Sequence, residues 1–125
     1  MKKLLLILLC LPLFYKCNPK NNLEKVLIAV VEEVNNSCPM FVDEQTRLEY
    51  AEIDKDGFFH YIYTFPMKSK SDVDIPSFYY SQSKMLNKEY ESNPSLSNFR
   101  DNDVTLRYTY FDMYNNQIIS IVVPN

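Results

Sequence analysis

The 125-residue sequence predicts an α+β fold, an antiparallel four-stranded sheet made of two β-hairpins with two helices on one face. Two stretches of alternating apolar and polar residues surround turn-forming residues, which is typical of hairpins. Each stretch follows a segment whose apolar residues have helical spacing, so the predicted order is α-β-β-α-β-β. Antiparallel strands with helices gathered on one face form a stable two-layer arrangement.

The first predicted helix follows a short polar segment. Its apolar residues recur at helical spacing: Leu23, Leu27, Val30, Val31 and Val34. Asn22 is a candidate N-cap, because its side chain can accept a hydrogen bond from a free backbone N–H of the first turn. Pro39 disfavours a helical conformation at Cys38, so we expect the helix to end near Asn35–Asn36.

The first hairpin is predicted to turn at residues 54–57, DKDG. The run TRLEYAEI precedes this turn and the run FFHYIYTF follows it, and both alternate as strands do. Alternating runs around an Asp-Gly pair are a strong hairpin signal. In the second run, Phe59, Tyr61, Tyr63 and Phe65 share one face and Phe58, His60, Ile62 and Thr64 share the other.

The second helix and the second hairpin follow a polar loop. Asp74 is a candidate N-cap, Pro76 suits the first helical turn, and Pro94 stops the helix after Asn93. Residues 104–123 then alternate around Asn115 and Asn116, which tolerate the positive φ of a tight turn.

Residues 1–16 predict an export signal. Lys2 and Lys3 precede an apolar run that is shorter than the ~20 residues of a membrane span. Cys17 follows this run, where a bacterial lipoprotein signal carries its lipidated cysteine, although Phe14 and Lys16 depart from that pattern. Cleavage to a soluble protein and a disulfide between Cys17 and Cys38 remain open. We expect a tether at 17–21, one domain at 22–125, and location in the cell envelope as a lipid-anchored or periplasmic protein.

The charge and the glycine content exclude several classes of partner. Removal of residues 1–16 takes away three lysines and leaves 10 basic and 16 acidic residues, a formal charge of about −6. Nucleic acids favour clustered Lys and Arg, so we expect no nucleic-acid partner, and membrane contact only through a lipid anchor at Cys17. The single glycine, Gly57, excludes glycine-rich phosphate loops.

The candidates for chemistry are few, and we expect no enzyme, cofactor or metal site. Glu52, Asp54, Asp56 and Gly57 imitate the start of a calcium loop, but Tyr63 stands where a bidentate Glu is required. A cysteine nucleophile at Cys38 would need His60, the sole histidine, as its base. Each of the three arginines is interpreted as a structural tie: Arg47, Arg100 and Arg107.

Tyrosines supply the best candidate for a binding surface. If one face of the sheet is open, tyrosines on that face would form an exposed amphipathic patch of the kind that marks interfaces. Core packing is expected for about half of the aromatic residues that alternate along the strands. The candidate residues are Tyr61, Tyr63, Tyr108 and Tyr110.

Two segments resemble a group of small exported bacterial proteins of uncharacterised function. These are CPMFVDEQTRL at residues 38–48 and NPSLSNFRDNDVTLRYTYFD at residues 93–112. The resemblance implies an exported bacterial α+β domain and carries no known activity. We therefore expect a non-enzymatic binding or accessory protein with an envelope protein as partner. The alternatives are an inhibitor or immunity-type protein against a secreted enzyme, and a small thiol-dependent enzyme that uses Cys38 and His60.

Overall fold

The computed structural model describes residues 20–125. The predicted export signal, Cys17 and most of the expected tether lie outside the described residues. Within residues 20–125, no helix combines the length and the apolar character needed to cross a membrane. The helices and strands occur in the order α1 (Lys20–Asn36), β1 (Met40–Phe41), β2 (Arg47–Ile53), β3 (Phe59–Thr64), α2 (Ile75–Ser92), α3 (Ser97–Asp101), β4 (Leu106–Phe111) and β5 (Gln117–Val123).

The sheet is mixed and has five strands in the order β1-β2-β3-β4-β5, so the predicted antiparallel four-stranded sheet is wrong. Strands β3 and β4 pair in parallel, and the other neighbours pair antiparallel. The physical reason is the connection: a strand, a crossover that contains α2, and a further strand in the same sheet favour parallel pairing. Only the broader α+β class of the prediction stands.

Local side-chain bonds hold the two hairpin turns. In the first, Asp54 Oδ1 accepts from the backbone N–H groups of Asp56 and Phe58, at 2.9 and 3.0 Å, and Gly57 has a φ of 81°. This left-handed conformation suits glycine, which has no Cβ to clash. In the second turn, Asp112 Oδ1 accepts from the N–H groups of Tyr114 and Asn116, both at 2.8 Å.

The helix boundaries follow the sequence signals in α2 but not at the start of α1. Helix α1 begins at Lys20, so Asn22 lies inside it and is not its N-cap. Asp74 caps α2 by accepting from the N–H of Ser77, at 3.3 Å. Helix α2 ends at Ser92, and a 3₁₀ turn at Pro94–Leu96 leads into α3.

All three helices contribute to one core on one face of the sheet. Helix α1 packs mainly against β2 and α2 packs mainly against β5. Fully buried side chains from the helices meet the aromatic face of the central strands, as in the contact between Phe59 and Phe99, whose ring centroids are 5.4 Å apart. The two long helices thus pack mainly on the outer strands, and the candidate site lies on the same face at the central strands β3 and β4.

Candidate binding groove

A groove of about 1570 Å³ lies on the helix-bearing side of the sheet. Helix α2 forms one wall and residues 41–46, around the β1–β2 loop, form another. The loop at residues 68–74 and the turn at residues 93–96 also line it. The floor is aromatic and consists of Tyr63, Phe65, Tyr108 and Tyr110.

The rings of the floor are stacked on one another. The centroids of Tyr63 and Tyr110 are 5.0 Å apart and those of Tyr63 and Tyr108 are 6.3 Å apart, both in stacked geometry. Phe78 of α2 meets Tyr110 edge-on at 5.4 Å. Because stacked and edge-on aromatic pairs are favourable and leave the rings little freedom, the floor has a defined shape before any partner binds.

The four candidate tyrosines do not form an exposed patch on an open sheet face. Tyr61, Tyr63, Tyr108 and Tyr110 lie on the face covered by the helices and are 1%, 5%, 5% and 4% exposed. The helices cover this face because it carries most of the large apolar side chains of the central strands. Three of the four nevertheless line the groove: Tyr63, Tyr108 and Tyr110.

Two of these tyrosines present hydroxyl groups that no side chain or backbone group among residues 20–125 satisfies. The Tyr110 hydroxyl accepts a hydrogen bond from Gln82 Nε2 at 2.9 Å. Among residues 20–125, the hydroxyls of Tyr63 and Tyr108 have no hydrogen-bond partner. Neither hydroxyl oxygen is fully buried, so each is open to solvent or a ligand from the groove.

The hydroxyls of the floor are donors at physiological pH. Burial raises the pKa of Tyr63 well above its ordinary value, and the neighbouring tyrosines raise it further. Burial raises the pKa of Tyr108 in the same way. Burial also raises the pKa of Tyr110, to about 12, against the lowering effect of the Gln82 hydrogen bond. All three therefore keep their protons and can donate as well as accept.

The opposite face of the sheet carries a row of hydrogen-bonded polar side chains, which we call the polar row: Glu52, His60, Thr109 and Ser120. His60 Nδ1 lies 3.1 Å from Glu52 Oε2, and His60 Nε2 lies 2.7 Å from Thr109 Oγ1. The hydroxyls of Thr109 and Ser120 are 3.0 Å apart. Burial lowers the pKa of His60 and outweighs the raising effect of Glu52 and Asp54, which favours a neutral ring.

The polar row has the acid–histidine–hydroxyl order of a hydrolase triad, but its hydroxyl is nearly buried in a central strand. Thr109 is only 4% exposed and lies on β4, which pairs with strands on both sides. Backbone N–H groups used in those pairings are not free to stabilise an oxyanion. The cavity beside the row is about 460 Å³. The geometry is that of a structural tie across four strands.

The thiol dyad expected for the enzyme alternative is absent. Cys38 packs against the helix-side core, and its Sγ donates to the carbonyl oxygen of Val34 at 3.3 Å. His60 lies on the other face, beside Glu52. Burial, followed by the charge of Glu49, raises the pKa of the Cys38 thiol, which disfavours the nucleophilic thiolate. The structure thus separates Cys38 from His60, its expected base, and disfavours the thiolate form that a cysteine nucleophile needs.

Two of the three arginines connect separate segments, and Arg47 pairs within its own strand. Arg107 bonds to Asp54 and Asp56 of the first turn, at 2.7 and 3.1 Å, so these carboxylates serve the turn. Arg47 pairs with Glu49 on the same strand, at 2.7 Å. Arg100 Nη1 donates to the carbonyl oxygens of Tyr90 and Asn93, each at 2.8 Å, and so ties α3 to the end of α2.

Comparisons with known proteins identify one matching family and two solved structures that share this fold. The sequence profile of a family described as "Domain of unknown function (DUF8479)" matches residues 22–120. No curated protein matches the sequence. A solved protein from Pseudomonas aeruginosa, provisionally described as secreted, has a TM-score of 0.67 and 14% identity, over 82% of this chain and 88% of that one.

A second solved structure is the pilotin EpsS from the Vibrio vulnificus type 2 secretion system. It has a TM-score of 0.63 and 10% identity, over 83% of this chain and 89% of that chain. At such identities the two likenesses establish a shared fold and nothing more about this chain.

Proposed function

This chain belongs to the family described as a domain of unknown function (DUF8479). Because that description assigns no activity, we propose a function from the geometry of the groove. The protein is an exported, non-enzymatic accessory protein that binds a segment of an envelope protein. The observation that carries this proposal is the pair of hydroxyls on Tyr63 and Tyr108. Both residues are 5% exposed, both line the groove, and neither hydroxyl has a partner among residues 20–125.

The size of the groove favours a peptide segment over a small molecule. Small-molecule pockets usually enclose about 300–1,000 Å³, whereas this groove measures about 1570 Å³. Its lining combines exposed apolar side chains on the walls, such as Phe41 and Met85, with the rigid aromatic floor. Aromatic and methionine side chains are enriched at protein–protein interfaces, where a rigid floor lowers the entropic cost of binding.

The proteins that share the fold support an envelope role. One is provisionally described as secreted, and the other is a pilotin of a secretion system. The export signal predicted at residues 1–16 agrees with such a location. Within the same proposal, Cys17 carries a lipid anchor, which would hold the groove at a membrane surface facing the periplasm.

Site-specific photo-cross-linking in intact cells tests the proposal. A photoreactive phenylalanine analogue replaces Met85, which lies on the α2 wall and is 38% exposed. The matched control replaces Ile28 on α1, which is 48% exposed and lies outside the groove. We expect a covalent adduct with an envelope protein from position 85 and none from position 28, as identified by mass spectrometry of the adduct.

Each outcome of this experiment bears on a different interpretation. Equal adducts from positions 28 and 85, or no adduct from position 85, would contradict the groove as the binding site. An adduct with a secreted enzyme, together with loss of that enzyme's activity on binding, would favour the inhibitor interpretation instead.

A further inference from the structure

The margin of the groove is acidic, and we propose that its occupant is a cationic amphipathic peptide segment of the envelope partner. This inference rests on the proposed function and adds the chemistry of the partner. The lining of the groove contains five carboxylates and one ammonium group: Asp43, Glu44, Asp72, Asp74, Glu89 and Lys68. Charge complementarity at an interface selects partners and speeds their encounter, so such a margin favours positive charge.

The carboxylates border the groove on several sides. Asp43 and Glu44 belong to the wall formed by residues 41–46, and Glu89 belongs to α2. Asp72 and Asp74 lie in the loop that leads into α2. A segment lying along the aromatic floor would therefore meet acidic groups from three separate parts of the chain.

No basic side chain among residues 20–125 forms an ion pair with these carboxylates. The ion pairs among residues 20–125 involve Glu49, Glu52, Asp54 and Asp56, and none of the five groove carboxylates takes part in them. Some groove carboxylates are instead held in place by backbone groups. Asp43 Oδ1 accepts from the N–H groups of Gln45 and Thr46, both at 2.8 Å. Their negative charge is thus fixed in position and available to a partner.

The floor of the groove indicates which apolar and polar groups the partner segment should carry. Its aromatic rings favour an apolar face on the occupant, because burial of apolar surface drives association. The hydroxyls of Tyr63 and Tyr108, which have no hydrogen-bond partner among residues 20–125, favour at least one polar group on that face. A segment with this face and with Lys or Arg on its flanks satisfies both the floor and the acidic margin.

Two designed peptides provide the test. They share one pattern of leucines with a single serine, and their polar positions carry lysine in the first and glutamate in the second. Binding to the natural exported protein is measured by fluorescence anisotropy. We expect the lysine peptide to bind and the glutamate peptide not to bind. We also expect the affinity for the lysine peptide to fall several-fold between about 0.05 and 0.5 M salt, because salt screens exposed charges.

Matched variants separate the groove from the general acidity of the protein. Glu44→Gln combined with Glu89→Gln removes two groove charges and keeps side-chain shape, and we expect roughly tenfold weaker binding of the lysine peptide, as for the loss of two exposed ion pairs. Glu32→Gln combined with Glu33→Gln removes two exposed charges on α1, outside the groove, and should leave the affinity unchanged.

The outcomes also separate this inference from the proposed function. Equal binding of both peptides, or equal effects of the two double variants, would overturn the cationic assignment, even if cross-linking at position 85 succeeds. Failure of that cross-linking would overturn the function itself. Tighter binding of a synthetic peptide of residues 1–16, which contains Lys2, Lys3 and Lys16, would overturn the assignment to a partner and identify this chain's own segment as the occupant.

Discussion

Tyr63 and Tyr110 share the same aromatic floor and differ in how their hydroxyls are bonded. Tyr110 accepts from Gln82, whereas the Tyr63 hydroxyl has no partner among residues 20–125. We therefore expect Tyr110→Phe to lower the free energy of unfolding by about 1 kcal/mol, the usual net value of one hydrogen bond. Tyr63→Phe loses no internal bond and should change that free energy by less than about 0.5 kcal/mol. Urea denaturation of both variants measures the difference, and equal losses would show that the Tyr63 hydroxyl is bonded in the free protein.

The same residues show what the sequence can and cannot predict about a single position. The alternation along the strands correctly groups Tyr61 and Tyr63 on one face, because side chains of a strand point to alternate faces. It does not tell which face the helices cover, since that choice depends on the packing of α1 and α2 over distant strands.

The polar row was also missed by the sequence analysis. Glu52 and His60 are visible as neighbours across a hairpin, but the contact with Thr109 requires the pairing of β3 with β4.

Among the elements, the turn between β4 and β5 is connected to the loop before α2 by one carboxylate. Asp112 Oδ2 accepts from the backbone N–H of Lys70 at 2.7 Å, while its Oδ1 accepts from Tyr114 and Asn116. Burial alone would raise the pKa of Asp112, but these backbone hydrogen bonds and that of the Asn116 side chain outweigh burial and lower it. The ionised carboxylate is therefore part of how the two segments are joined.

This arrangement predicts a loss of stability in acid. The folded-state pKa of Asp112 lies below its unfolded value, so its contribution is complete above the unfolded pKa of about 3.9 and is lost as the pH falls through the folded-state pKa. Asp112→Asn should destabilise the protein at neutral pH and reduce the further loss of stability below about pH 4. Thermal melts between pH 7 and pH 3 test this, with exposed Asp101→Asn as the control. An unchanged acid dependence in Asp112→Asn would assign the effect to other carboxylates.

The elements also differ in how well their pairing can be predicted. Both turns and the N-cap of α2 depend on residues within a few positions of one another, and such local signals are readable in the sequence. Strand β1 is only two residues long, too short for a pattern to reveal. The parallel pairing of β3 with β4 is a long-range contact, and only the rule for strand–helix–strand connections indicates it.

For the molecule as a whole, the lipid anchor proposed at Cys17 would relate the groove to the membrane. Cys17 precedes the first residue of α1 by three positions, and it lies outside the described residues. Acylation there would bring the folded domain close to the bilayer. The excess of acidic residues gives no separate attraction to anionic lipid, so attachment would depend on the acyl chains alone. A single chain binds membranes only marginally, and stable attachment therefore requires more than one.

The anchor predicts a specific change in mass and location. We expect the exported protein to begin at Cys17, to carry the added mass of several acyl chains, and to sediment with membranes. Cys17→Ser should lack that mass and leave the membrane fraction without a change in unfolding, because Cys17 lies outside the domain matched at residues 22–120. Cys38→Ser is the matched control: it alters a thiol packed against the core and should keep both the lipid and the membrane location. An unmodified mature mass, or membrane retention of Cys17→Ser, would contradict the anchor while leaving the groove as a binding site for an envelope partner.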